Sequence, residues 1–304
     1  MSMPIISFEE GEKVLDWIAL SDALAAGHDM PRAEVADSFL YRDKDTLLTR
    51  SAWIDGLGLA IKAATIFPGN SDRGLDTVNG MMSLLSDRDG TLEAMIDFHL
   101  VTKWKTAADS LLAARRLARP DSRQILIIGA GAVARSLREA YGAAFPEAQF
   151  AIWNRTATKA EALAADFPHT TTAIDLPEAV GEADIVACAT SGTVPVLNGA
   201  WLRPGQHIDL IGAYRPDMRE ADDDTMRRAR IFVDSRDTTV HHIGEIALAI
   251  GSGAITEEDI VADYYQLPDF TRAPEDITLF KNGGGAHLDL MTARHILTAW
   301  TDAR

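Results

Sequence analysis

The sequence predicts an α/β fold: a doubly wound parallel sheet beside an α+β domain. Three observations carry this. After Pro120, short unbroken apolar runs alternate with helical stretches, the pattern of parallel strands covered on both faces. Before Pro120, residues 33–97 hold β-branched and apolar runs cut by glycines, which read as mostly antiparallel strands. A glycine-rich string joins the first apolar run after Pro120 to the helix that follows it.

Taken in order, Ser7 and Glu10 form a capping box, and apolar residues at helical spacing carry the helix on to Gly27, which ends it. The runs 47–67 and 77–97 supply strands, with Asp89-Gly90 as a hairpin turn. Residues 104–118 form an amphipathic helix. Strands follow at 123–129, 148–154, 183–190, 206–212 and 230–234, with helices at 131–145 and 156–167. Residues 291–302 form a last helix. The expected domains are therefore 1–119, with 291–304 returning to it, and 120–290.

Composition narrows the function. Of 304 residues, 47% are apolar, enough for a sizeable core, and the formal net charge is −16. Such an acidic surface argues against nucleic acid and anionic membranes as partners. No apolar run approaches the roughly 20 residues that span a bilayer, and the first residues predict no secretory leader. The single cysteine, Cys188, excludes an intrachain disulfide and suits a reducing, cytoplasmic compartment. It sits in an apolar run, as expected of an inert buried thiol. His241-His242 lack the four-residue spacing of helical metal ligands, so no metal site is expected.

Gly129-Ala-Gly131-Ala132-Val133-Ala134 fits the Rossmann fingerprint in its proper context, strand before and helix after. Gly129 permits a tight turn and Gly131 lets backbone approach a pyrophosphate. The helix start then offers amide donors and a positive dipole. The second strand ends on Asn154-Arg155-Thr156, where NAD sites usually carry a carboxylate for the ribose hydroxyls. A neutral side chain, a guanidinium and a hydroxyl suit a 2′-phosphate instead, so NADP(H) is expected over NAD(H). Lys159 could add charge.

An ordered series of segments resembles the ornithine cyclodeaminase/mu-crystallin family: Met30-Pro31-Arg32, Gly58 to Lys62, Phe67 to Asn70, Gly74 to Val78, and Thr102 to Ala108. The glycine loop, Pro204-Gly205, Ile211 to Ala213, Arg219-Glu220 and Phe280 to Asp289 continue it. The resemblance implies a homodimer formed through the non-Rossmann domain and a substrate that is a small amino or imino acid. It implies ornithine cyclodeamination, alanine-type dehydrogenation or reduction of cyclic ketimines, or dinucleotide binding without catalysis. By the same resemblance Lys62 meets the substrate carboxylate or carbonyl region, Arg32 (with Arg42 and Arg50 as fallbacks) adds charge, and Gly284 allows close backbone approach. Asp289 would orient a cationic group, while Thr106, Thr190 and Ser191 would touch the cofactor.

Two positions depart from the family pattern. Lys105 replaces an arginine, keeping charge but losing the planar fork. Tyr214 stands where cyclodeaminases carry a catalytic aspartate. A phenol of ordinary pKa about 10 cannot serve as a base near neutrality but can donate. The sequence therefore points to ketimine reduction, with Lys62 and Tyr214 as the catalytic candidates and Arg32, Lys62, Lys105 and Gly284 around the substrate.

Overall fold

The computed structural model describes residues 3–304. The chain opens with β1 (Ile5–Ile6), α1 (Phe8–Glu12) and α2 (Trp17–His28). Five strands follow: β2 (Glu34–Arg42), β3 (Asp45–Ile54), β4 (Gly58–Ile66), β5 (Val78–Leu85) and β6 (Leu92–Asp97). Then come α3 (Phe98–Leu117), β7 (Gln124–Ile128), α4 (Ala132–Ala144), β8 (Gln149–Trp153), α5 (Ala157–Ala165), β9 (Thr170–Thr172), α6 (Leu176–Glu182), β10 (Ile185–Cys188) and β11 (His207–Leu210). The rest is α7 (Asp223–Arg228), β12 (Arg230–Val233), α8 (Arg236–Thr239), α9 (Gly244–Gly251), β13 (Ile260–Ala262), β14 (Thr278–Lys281) and α10 (Ala286–Asp302). Among the described residues no helix is long and apolar enough to cross a membrane.

Two compact units result, Met1–Lys105 with Gly284–Arg304, and Thr106–Gly283. Both cuts fall earlier than the expected 119/120 and 290/291. Hydrogen bonds explain this. Within the second unit the Thr106 carbonyl accepts from Asn282, the Asp109 carbonyl from Tyr264, and Ser110 donates to Asp209. Within the first, the Gly284 carbonyl accepts from Arg50 and Lys105.

The first unit is a six-stranded sheet in the order β1-β6-β5-β4-β3-β2. Its strands β2 to β6 pair antiparallel, as expected, and β1 joins β6 in parallel. Period two sorts the side chains. Ala52, Ala60, Met82 and Leu84 point to the buried face, which α10 covers. Leu40, Leu47, Trp53, Ile61 and Met81 are exposed on the other face.

The expected single N-terminal helix is two helices. The Ser7–Glu10 capping box forms, but Asp16 caps a second start by accepting the Ala19 N–H, and the carboxylate wins over continued helical periodicity. Gly27 does not end α2, which runs on to His28. A Cβ there would stand 2.6 Å from the Met291 sulfur, so the glycine lets α2 and α10 pack closely.

The second unit is an eight-stranded sheet in the order β13-β12-β14-β11-β10-β7-β8-β9, parallel throughout. The order turns on β7: β8 and β9 build out one way and β10 the other, which opens a crevice beyond the strands' C-terminal ends. Its core includes Ile128, Val186, Ile208, Leu210 and Leu279, all fully buried. Cys188 belongs to it, and burial pushes the thiol well above its ordinary value. Strands β9, β13 and β14 are absent from the sequence-based reading; β9 is a run of three threonines, β13 has only three residues, and β14 mixes Thr278 and Lys281 with its two apolar residues.

Gly80 connects this packing to the site described next. A Cβ on it would meet the Ala63 carbonyl at 2.2 Å and the Phe98 ring at 2.5 Å. Gly80→Ala is expected to cost about 3 kcal/mol, read as a lower urea midpoint at unchanged slope. An unchanged midpoint contradicts this packing.

Candidate functional site

In the first unit, adjacent strands place Arg50 and Lys62 directly opposite each other on the buried face of the sheet. Lys62 is 7% exposed and donates from Nζ to Asp289 Oδ1 at 2.9 Å. Asp289 comes from α10 and is 1% exposed. Lys62 Nζ also stands 4.8 Å from the centre of the Phe98 ring. Burial pulls the Lys62 pKa from 10.5 down to about 8, with Lys105 and Arg50 adding to the fall and Asp289 opposing it. Burial alone would raise the Asp289 carboxyl, but Lys62, Lys105 and Arg50 outweigh it and hold it below its ordinary value.

Lys105 is buried, and its Nζ donates to the Gly284 carbonyl at 3.1 Å. Arg50 donates to the same carbonyl at 2.9 Å and grips Asp37 with its other nitrogens. Gly284 turns that carbonyl inward from a left-handed φ of 68°. His287 is 1% exposed. Burial first, then Lys105, lowers its pKa to about 3, so it is neutral. Arg32 is exposed but near enough to act electrostatically on His287. Three cationic side chains thus surround one buried carboxylate, an arrangement suited to an anion.

In the second unit, Gly129 has φ 124°, and a Cβ on it would meet the Ala189 carbonyl at 2.6 Å. The tight turn therefore requires glycine. Gly131 is the N-cap of α4 and makes no side-chain cap bond; a Cβ there would find nothing within 4 Å. The first N–H groups of a helix lack intrahelical partners, so open space and free donors meet at this N-terminus. Ala134 is fully buried against the sheet. These features fit a dinucleotide pyrophosphate.

Beyond β8, Asn154 donates to the Thr156 carbonyl at 2.9 Å. Thr156 caps α5 without using its hydroxyl. The Arg155 side chain is exposed and makes no ion pair among the described residues. Thr190 follows β10; its N–H and hydroxyl both donate to Glu220 Oε1, at 2.6 and 2.9 Å. Ser191 is exposed. Gly129, Asn154, Thr190 and Tyr214 all follow the C-terminal ends of their strands.

The sequence-based candidates thus fall into two groups. Lys62, Lys105, Gly284 and Asp289 come together in the first unit, with Arg32 at the periphery. Of the two fallbacks Arg50 joins them, while Arg42 pairs with Asp45 at the hairpin end, 75% exposed. Ala132, Val133, Asn154, Arg155, Thr156, Thr190 and Ser191 line strand ends of the second unit, and half-buried Thr106 lies on α3. Tyr214 is 64% exposed on the loop after β11, its ring beside the Arg215 guanidinium. Sequence reading missed His287 and gave Glu220 no role. His287 stood two residues before Asp289 in the quoted motif, where a helix turns neighbouring side chains apart and no spacing rule flags them.

Residues 50–304 match the model of the ornithine cyclodeaminase/mu-crystallin family. The chain is 50% identical, over 96% of its length and 95% of the relative's, to the Δ1-pyrroline-2-carboxylate reductase of Paracoccus denitrificans (strain Pd 1222). It is 33% identical to the mouse ketimine reductase mu-crystallin, over 81% of this chain and 77% of that one. A solved structure, the Thermococcus litoralis Δ1-pyrroline-2-carboxylate reductase with NADH and L-proline, superposes with a TM-score of 0.90 at 26% identity, covering 99% of this chain and 98% of that one. An archaeal alanine dehydrogenase dimer with bound NAD gives 0.91 at 26%, covering 100% and 97%. The chain belongs to the ornithine cyclodeaminase/mu-crystallin family.

Proposed function

We propose that the chain reduces a cyclic ketimine bearing a carboxylate, of the Δ1-pyrroline-2-carboxylate kind, to the cyclic amino acid. The observation that carries this reading is the buried Lys62–Asp289 pair with Lys105 and Arg50 beside it, a seat for a small carboxylate. Half-identity to a reductase of that substrate supports it, as does Tyr214 in place of an acid–base carboxylate.

In this reading Lys62 and Lys105 hold the substrate carboxylate, and Asp289 fixes the Lys62 ammonium by hydrogen bond and charge. Arg32 adds positive potential, and Gly284 permits close backbone approach to the substrate. Phe98 lines the seat beneath Lys62. The Tyr214 hydroxyl is the donor toward the ring nitrogen, which must carry a proton before its carbon accepts hydride. When bound, a nicotinamide dinucleotide would supply that hydride. The net change is C=N plus one hydride on carbon and one proton on nitrogen to CH–NH.

The glycine loop and α4, with Ala132 and Val133, bind the pyrophosphate, and Thr106, Thr190 and Ser191 flank the cofactor. NADP(H) is the favoured form, because Asn154, Arg155 and Thr156 present no carboxylate to a 2′-phosphate and leave a guanidinium and a hydroxyl for it. The first unit serves substrate binding and dimerisation. A second copy would cover the exposed Leu40, Trp53, Ile61 and Met81 face, as such patches mark interaction surfaces. A cytoplasmic location belongs to the same proposal.

Oxidation of NADPH and NADH by Δ1-pyrroline-2-carboxylate tests the reaction. Turnover faster with NADPH is expected, and Arg155→Ala should raise KM for NADPH about tenfold while leaving KM for NADH unchanged. No turnover with either dinucleotide overturns the reaction.

The charge of Lys62 sets a pH dependence. Its ammonium is present below about 8 and lost above it. The Kd of pyrrole-2-carboxylate, whose ring nitrogen does not titrate in this range, should therefore rise as pH increases through about 8. Lys62→Met should weaken binding on the order of 100-fold and abolish that pH dependence. A variant that keeps the wild-type pH profile contradicts the assignment.

A further inference from the structure

We propose that Glu220 is a positioning residue for the dinucleotide edge of the second unit, holding the loop that carries Thr190 and Ser191 in register with the loop at Gly212. This rests on the dinucleotide reading above. The Glu220 carboxylate is fully buried and accepts three donors. The Thr190 N–H and hydroxyl reach Oε1 at 2.6 and 2.9 Å, and the Gly212 N–H reaches Oε2 at 2.6 Å. Thr190 and Gly212 follow β10 and β11, which are neighbours in the sheet. One side chain therefore ties two adjacent strand ends together.

The Glu220 backbone closes the same loop from its far end. Its carbonyl accepts the N–H groups of Val196 and Leu197 at 2.8 and 2.9 Å. The segment from Thr190 to Val196 is thus held at both ends by a single residue. Contact limits it from the other direction, since a Cβ on Gly212 would stand 1.8 Å from the Thr190 carbonyl. Glu220 is itself anchored: its N–H and that of Ala221 donate to the Glu245 carboxylate on α9 at 2.7 and 3.0 Å.

The chemistry requires an acceptor at all three bonds. An amide in place of the carboxylate would turn an N–H₂ toward a backbone N–H and leave a buried donor unmatched. Burial pushes the Glu220 pKa up to about 8, with Glu245 adding to the rise and Lys281 and the Thr190 donors opposing it. Above that value the acceptor form dominates.

The test uses full-length protein at pH 9, with NADH and NADPH titrated by fluorescence and steady-state kinetics run beside them. Glu220→Gln is expected to raise the Kd and KM of the dinucleotide at least tenfold, with kcat and the imine KM within twofold of wild type. Should that variant not fold, Glu220→Asp, which keeps the charge and shortens the reach by one methylene, carries the same expectation. A merely structural role would lower the melting temperature and leave the Kd of the folded protein unchanged. That result overturns the proposal, as does an effect confined to the imine KM. Wild-type protein that binds neither dinucleotide would instead remove the reading on which the proposal rests.

Discussion

Buried positive charge on the sheet of the first unit is the constraint on which the site depends. Removing an ammonium from water costs several kcal/mol unless partners replace the lost hydration. Lys62 obtains Asp289, Arg50 obtains Asp37, and Lys105 donates to the neutral carbonyl of Gly284 while acting at longer range on Asp289. Each partner in turn fixes a piece of backbone. Asp289 requires α10 to lie over the sheet, and the Gly284 carbonyl requires a left-handed turn just ahead of that helix. The lowered pKa of Lys62 records that this compensation is incomplete, and an arriving carboxylate would complete it.

The second unit offers a different device for negative charge. Few charged side chains stand at its glycine loop; the donors are backbone N–H groups at the start of α4. Such donors cost little to keep ready because the helix fixes them. Both devices sit in a chain whose formal net charge is −16. Any anion recognition here would therefore be local, set by oriented donors and buried cations rather than by the long-range field.

Much of this was legible in the sequence because it rests on local rules. The glycine string declared the tight turn into α4, the unbroken apolar runs declared the parallel sheet, and Asp89-Gly90 declared its hairpin. What stayed hidden depends on contacts distant in sequence. Arg50 was a fallback behind Arg32 until strand register set it opposite Lys62. Gly27 looked like a helix end because nothing nearby shows the Met291 side chain packing against it. The short strand β14, TLFK, sits between β11 and β12, but Thr278 and Lys281 break the apolar run that marks its neighbours. Glu220 carried no role in the sequence beyond its place in the Arg219-Glu220 segment, because its buried contacts with Thr190 and Gly212 come from distant loops.

The central claim is that the cationic seat of the first unit recognises a carboxylate. Calorimetric titration of the protein with L-proline and with L-prolinamide, in the presence of oxidised dinucleotide, tests it directly, since the two ligands differ only at that group. L-Proline should bind at least about tenfold more tightly than the amide, the worth of one charge-assisted hydrogen bond. Equal affinities would contradict the claim and leave the buried lysines without a ligand to explain them.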